Sequence, residues 1–258
     1  MKNAIQRSAP VTLGIASFVI ILVIWELLVR VGWANPFFTS QPSAIASALA
    51  RQIRTGELLR NFLVSFREFV MGFSAAVVVG LVLGVVAGWY RVIEYILDPF
   101  IWFLYSAPLI AFYPIFVIRL GLGSGTVIAI SFLLSVTPIA VNTLTGMKNI
   151  NPSLILAARS FGARPHDLLW KVALPASVPM IVAGLRLGVG RALTGVIIAE
   201  LFVASSGLGY SISYNGQLLR TTNMFASLIV IVALGVACTQ SLSALEARFD
   251  SWRTSPGV

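Results

Sequence analysis

The stretch Phe69–Tyr90, FVMGFSAAVVVGLVLGVVAGWY, runs for 22 residues without a charge. At 1.5 Å per residue a helix of that length reaches about 33 Å, enough to cross a hydrocarbon core about 30 Å thick. Gly72, Gly80, Gly84 and Gly88 recur in it at spacings of four or eight, which gathers them on one helix face. Glycines so placed let a neighbouring helix come close, as tightly packed membrane helices require. The fold class that follows is an all-α polytopic membrane protein.

Composition points the same way. Of 258 residues, 58% are hydrophobic and 10% charged, with a mean hydropathy of +0.92. An ordinary soluble domain has about 45–50% apolar and about 25% charged residues. So few charges cannot cover a water-soluble surface, which excludes a soluble globular enzyme. The apolar and aromatic content excludes intrinsic disorder. Eighteen Lys and Arg against nine Asp and Glu give a net charge of +9. These basic residues stand singly between apolar runs, so they mark boundaries with membrane lipid and not a nucleic-acid surface. Cys238, the single cysteine, lies in an apolar run and reads as a small buried hydrophobe. His166 is the one histidine. No multi-His metal site and no Ser-His-Asp set is therefore expected, and no catalytic residue. Gly121-Leu-Gly-Ser-Gly125 lacks the Gly-Lys-Ser/Thr ending of a phosphate loop and reads as a turn between helices.

Five more apolar runs accompany the first. Val11–Val29 follows Lys2 and Arg7 but ends without a small-x-small cleavage site, so it reads as a retained anchor. Phe100–Ile118 holds Pro108 and Pro114, and Thr126–Met147 holds Pro138; the carbonyls these free must face protein or a water-lined cavity. Val178–Val203 and Met224–Leu245 complete six helices in a single transmembrane domain, residues 1–258. Between the first two spans, Ser43–Ile53 reads as a short surface helix. Six crossings put both termini on one side. On that side lie Lys2, Arg7, Arg91, Lys148, Arg159, Arg164, Lys171, Arg248 and Arg253; opposite lie Arg30, Arg51, Arg54, Arg60 and Arg220. The excess favours cytoplasmic termini.

The connection Lys148–Ser177 is long and carries four basic residues. Asn151 suits an N-cap and Pro152 the first helical position. A helix over Ser153–Phe161 then ends at Gly162, the usual left-handed cap. Pro165 restarts a helix whose first turn holds Asp167, with Leu168, Leu169, Val172 and Ala173 forming one apolar face before Leu174-Pro175 closes it. A short apolar helix pair at a membrane surface either docks a protein partner or lies on lipid.

Leu156-Ala157-Ala158, Gly162 and Val172-x-Leu174-Pro175 resemble the E-A-A-x3-G-x9-I-x-L-P loop of ABC importer permeases. Leu156 departs from the family's Glu, and any ion pair that Glu makes is missing here; Val172 for Ile is a milder change. The likeness extends over about residues 60–250. Gly121-x-Gly123, Ala183-Gly184-Leu185-Arg186, Gly190-Arg191-Ala192, Ala199-Glu200 and Ala204-Ser205-Ser206-Gly207-Leu208-Gly209-Tyr210 are similar to nitrate, taurine and aliphatic sulfonate permeases. Arg119 stands where that family commonly has an aromatic. The resemblance implies a type I importer permease of a bacterial cytoplasmic membrane. Two copies would pair with two cytoplasmic ATP-binding subunits, and a substrate-binding protein would deliver solute from outside. It further implies that Ala157, Ala158, Arg159, Gly162, Ala163, Arg164, Asp167, Leu168, Leu174 and Pro175 belong to the ATPase-coupling loop. ATP and Mg would be bound by the partner ATPase and no cofactor by this chain.

Arg186, Arg191 and Glu200 fall inside the fifth span, where a charge costs at least about 2.5–3.5 kcal/mol. With Arg119 they either form a path for an anionic solute or make interhelical and interfacial pairs. Glu26 and Glu68 read as boundary residues. A secondary transporter or channel working without ATP is the alternative, but no internal repeat is visible between the halves.

Overall fold

A computed structural model describes residues 2–249. The chain forms helices throughout: α1 (Lys2–Arg30), α2 (Pro36–Thr39), α3 (Pro42–Arg54), α4 (Glu57–Trp89), α5 (Arg91–Ser106), α6 (Tyr113–Leu120) and α7 (Ser124–Lys148), then α8 (Pro152–Ser160), α9 (Pro165–Asp167), α10 (Leu174–Val203), α11 (Leu208–Gln217) and α12 (Thr221–Phe249). Among the described residues, four helical runs are long and apolar enough to cross a membrane: Glu57–Trp89, Ser124–Lys148, Pro165–Val203 and Thr221–Leu242. The bent pair α5 and α6 makes a fifth if taken as one span. Helix α1 covers the first apolar stretch.

Helix α7 lies at the centre, packed between α4 and α10. The glycines of α4 face it. A Cβ built on Gly72 would meet Ser131, one on Gly80 would meet Ile139, one on Gly84 Thr143 and one on Gly88 Met147, at 2.5–2.9 Å from the nearest atom. Each pair differs by 59 in residue number (131 − 72 through 147 − 88), so the two helices run parallel in constant register. On the other side Gly184 abuts Asn142, Gly188 abuts Ile139 and Gly195 abuts Ser131. There the numbers run in opposite directions, and α10 is antiparallel to α7. With both neighbours at backbone distance, α7 buries small polar groups as well as apolar ones. Ser131 Oγ donates to the Ala192 carbonyl at 3.1 Å, and Ser135 Oγ to the Ser131 carbonyl at 2.7 Å. Val127, Ile130, Val189, Ala192 and Val196 fill the core between α7 and α10.

Three elements depart from expectation. Helix α4 starts at Glu57, twelve residues before the apolar run, and its 33 residues reach about 50 Å. Its early turns are polar because Asn61, Ser65 and Glu68 are buried against other helices; Glu68 is only 1% exposed and is no boundary residue. The third span is not one helix. Pro108 drives Ala107 out of the helical region to φ −70°, ψ 141°. The chain then takes a 3₁₀ turn over Leu109–Phe112, and α6 leaves at 93° to α5. Nor does Leu174-Pro175 close a helix. A π turn over Leu168–Ala173 carries the chain from α9 into α10 without a break, the Leu174 N–H donating to the Leu169 carbonyl. This wider turn suits Pro175, which has no N–H to donate.

At the Glu57 end, α3 packs on α12 through Ile45, Ala48 and Ala226. Glu26 ties α1 to α3 by accepting from Ser43 N at 3.0 Å and Ser43 Oγ at 2.8 Å, and it pairs with Arg30.

Candidate functional site

The Lys148 end of the bundle carries the helix pair. Asn151 Oδ1 accepts from Ser153 N at 2.9 Å and Pro152 opens α8, as a capped start demands. The far end is a complete Schellman turn: Ala163 N donates to the Ala158 carbonyl at 3.1 Å and Gly162 N to the Arg159 carbonyl at 2.9 Å. Gly162 takes φ +79°, in the left-handed region that a side chain would strain. Ala157, Arg159, Gly162 and Arg164 are exposed there, with Ala158 and Ala163 partly covered. Asp167 pairs with Lys171 at 2.6 Å, one turn on.

The apolar face expected to point outward turns in instead. Leu168 and Ala173 are buried, with Leu169, Val172, Leu174 and Pro175 half-buried, because the π turn packs on α8 and on the start of α10. What faces out is Leu156, Trp170 and Phe161, the last 92% exposed. The tip therefore presents bulky hydrophobes that the pair cannot cover itself.

The four charges read as path candidates separate in space. Arg119 is exposed in the last turn of α6, and Arg186 is exposed on α10. Glu200 is 1% exposed and held in a polar knot. It accepts from Ser65 Oγ at 2.6 Å and from Gly209 N at 2.6 Å. Ser65 Oγ also accepts from Leu208 N at 2.8 Å, and Asn61 Oδ1 accepts from Gly207 N at 3.3 Å. The free N–H groups that begin α11 thus find acceptors on α4 and α10, which anchors α11 across the bundle. Glu68 faces Ser124 and Glu200, and neither of its carboxylate oxygens has a hydrogen bond of good geometry. The sequence reading passes over Asn61 and Ser65 and sets Glu68 at a boundary, although Leu58, Asn61, Ser65, Phe69 and Gly72 recur at the three- and four-residue spacing of one helix face.

Arg191 lines a cavity of about 130 Å³ between α5, α7 and α10, with Tyr105, Leu109, Thr137 and Pro138. A second cavity of about 420 Å³ adjoins it, sharing Tyr105, Pro138 and Leu187 and extending to Asp98, Glu94 and Lys148. Glu94 and Lys148 form an ion pair across its mouth. Here the proline break between α5 and α6 opens onto space: Ala107 and Leu109, on either side of Pro108, line the smaller cavity.

A parallel–antiparallel core of close-packed membrane helices, a broken helix beside a cavity, and a projecting capped helix pair define a polytopic permease. Residues 76–254 match the family described as binding-protein-dependent transport system inner membrane component, and the chain belongs to that family. It is 35% identical over 237 residues to a putative ABC transporter permease of Methanocaldococcus jannaschii, covering 90% of this chain and 88% of that one. It is 30% identical to the taurine transport system permease protein TauC of Escherichia coli, covering 95% and 91%. A putative aliphatic sulfonates transport permease, SsuC of Bacillus subtilis, is 30% identical, covering 92% and 86%. The fold is that of the MetNI methionine ABC transporter in an inward-facing form, with TM-score 0.58 over 76% of this chain and 95% of that one, at 21% identity. An amino acid ABC transporter gives TM-score 0.61 over 79% and 97%, at 16% identity. The chain is an ABC importer permease of the binding-protein-dependent type.

Proposed function

We propose that this permease imports a small sulfonate-bearing solute across the cytoplasmic membrane by alternating access, driven by a separate pair of ATPase subunits that dock on the α8–α9 tip. The observation that carries the docking is the exposure of Leu156, Phe161 and Trp170 on the helix pair and the π turn that follows it. Apolar surface of that kind at the end of a capped, rigid turn favours a protein partner. The tip feeds into α10 through an unbroken helical run, Pro165–Val203, so movement of the tip moves the wall of the Arg191 cavity. Ala157, Ala158, Gly162 and Ala163 keep the tip slim, and Arg159, Arg164 and Asp167 supply its charge. A second copy of this chain completes the membrane unit, a binding protein delivers the solute, and both termini lie on the ATPase side. ATP and Mg belong to the ATPases; this chain redistributes between two states that its partners bias. The solute class is supported by the taurine and aliphatic sulfonate relatives. Arg191 is the side chain placed to meet an anion; Arg119 and Arg186 are not among the residues lining its cavity, and Glu200 holds α11.

The test is ATP-dependent uptake by the reconstituted transporter with Gly162→Asp. An aspartate strains the φ +79° turn and puts a charge on the tip. Uptake is expected to vanish while the protein still inserts and purifies at normal yield. Unchanged uptake would show that the tip does not couple.

A further inference from the structure

Two carboxyl groups meet inside the bundle. The register that sets Gly72 of α4 beside Ser131 sets Glu68 beside Val127, one turn nearer the start of α7. The antiparallel register that sets Gly195 of α10 beside Ser131 brings Glu200 to the same level. Both acids are 1% exposed. Their hydrogen bonding is unequal. Glu200 has a donor at each oxygen, Ser65 Oγ at Oε1 and Gly209 N at Oε2. Glu68 faces Ser124 and Glu200, and both of its oxygens are buried without a hydrogen bond of good geometry. Two carboxylates face to face are acceptors facing acceptors, and a single proton turns that contact into a hydrogen bond.

The groups around the pair decide what fills it. Helix α7 begins at Ser124 and α11 at Leu208, so two helix N-termini converge here, each worth roughly half a positive charge. Together they balance about one carboxylate, not two. Arg67 acts on Glu68 from an exposed position. Helix α6 packs against α7 and carries Tyr113 and the exposed Arg119. Helix α11 has no charged residue, α7 has only Lys148 at its other end, and α12 has none from Thr221 to Leu245. A metal ion needs oxygen atoms turned inward, whereas the backbone groups aimed into this knot, from Gly207, Leu208 and Gly209, are N–H donors. A proton needs no such cage.

We propose that Glu68 and Glu200 bind one proton between them, as a carboxyl–carboxylate pair that closes the joint of α4, α10 and α11. The proton sits on Glu68, whose oxygens are otherwise unspent, and the Glu68 O–H donates to Glu200. It comes from water and returns to water through a polar cavity of about 490 Å³ that Asn61 lines together with Glu57, Arg60, Ser205 and Tyr210. Once it leaves, two negative charges occupy a place that balances one. Glu200 is held by two donors, so Glu68 yields, and α4 parts from α10 where α11 is anchored. The closed joint binds one proton more than the open one, so closure weakens as the pH rises. Neither acid lines the Arg191 cavity, and the site does not rest on the importer reading.

The experiment uses the full chain in lipid bilayers, with infrared spectra and backbone hydrogen exchange recorded across pH in potassium and in sodium salts. At a pH where exposed carboxylates are ionised, wild type is expected to show the C=O stretch of a protonated carboxyl group, and Glu68→Gln to lack it. Exchange at residues 208–211, corrected for intrinsic rate, is expected to quicken about tenfold per pH unit once the proton begins to leave, the slope of one proton. Glu68→Gln, whose amide donates to Glu200 without a titrating proton, is expected to keep the slow rate at every pH. Absence of the protonated band or of the slope in wild type overturns the proposal, as does a band or slope that survives Glu68→Gln. Protection that follows sodium concentration at constant pH means a metal ion in the pair and overturns it too. If the thermal midpoint shows that Glu68→Gln does not fold, the wild-type band and slope decide on their own.

Discussion

Gly84→Ala is the sharpest probe of the packing that organises this molecule. A methyl at Gly84 would lie 2.5 Å from Thr143 Cβ, 2.7 Å from the Ala140 carbonyl oxygen and 2.8 Å from Thr143 Cγ2. None of these is the free end of a flexible side chain, so relief requires the two helices to part. Restoring ordinary contact from 2.5 Å means a separation of about 1 Å, and a gap of that size forfeits a quarter to a half of each dispersion contact along the seam. Overpacking of this kind costs about 1–3 kcal/mol. Alanine's better helix propensity returns at most about 1 kcal/mol, and a lipid-embedded helix gains less from it. At a net loss near 2 kcal/mol the thermal midpoint should fall by about 4–8 °C. The control is Gly235→Ala on α12, where the new methyl would find its nearest neighbour, Leu193 Cδ1, at 3.9 Å. Both are measured as thermal unfolding of detergent-purified protein followed by monodispersity. A midpoint for Gly84→Ala equal to or above wild type, with Gly235→Ala unchanged, would refute the close α4–α7 seam.

Other perturbations test the remaining parts. Glu200→Ala removes the acceptor for Ser65 and Gly209 and should cost about 1–3 kcal/mol, seen as faster hydrogen exchange at the start of α11. Glu68→Gln should be neutral or raise the midpoint, because its amide can donate to Glu200 where Glu68 has no good hydrogen bond; a marked loss would mean that the acid group is needed. Gly207→Ala should be worse than either, since the residue sits at φ +114° with its Cβ position inside the Glu200 carboxylate; near-normal expression and stability would contradict this placement. Asn151→Ala removes the α8 cap, worth about 1 kcal/mol, and should increase proteolysis within residues 152–160 without lowering the yield of inserted protein.

What could be seen in advance follows from how local each signal is. The α4 glycines announced their face by spacing alone, and Asn151, Pro152 and Gly162 announced α8 because caps are short-range chemistry. The misreadings have longer-range causes. Glu68 looked like a boundary residue because hydropathy is counted along the chain, whereas its burial comes from α10 and α7 across the bundle. The start of α4 at Glu57 was hidden by charges at Arg60 and Arg67, though the packed face through Asn61 and Ser65 keeps helical spacing. Leu174-Pro175 read as a stop because proline ends an α turn, and a π turn is not written in residue types. Pro108 signalled freed carbonyls within one span but not a break of 93°, which depends on what α6 packs against. The Arg191 and Asp98 cavities draw on three helices each, so neither has a sequence signature.

The unbroken run from Pro165 to Val203 also has a mechanical ratio. It is pinned near one end, where Glu200 is tied to Ser65 and Gly209, and it carries the α8–α9 tip at the other. Pro165 is 35 residues from that pin, roughly 52 Å, while Arg191 is nine residues from it, roughly 13 Å. A tilt that sweeps the tip through about 4 Å therefore shifts Arg191 by only about 1 Å. The arrangement gears down: a large, weak stroke at the tip becomes a small, forceful one at the cavity, on the scale that makes or breaks a hydrogen bond.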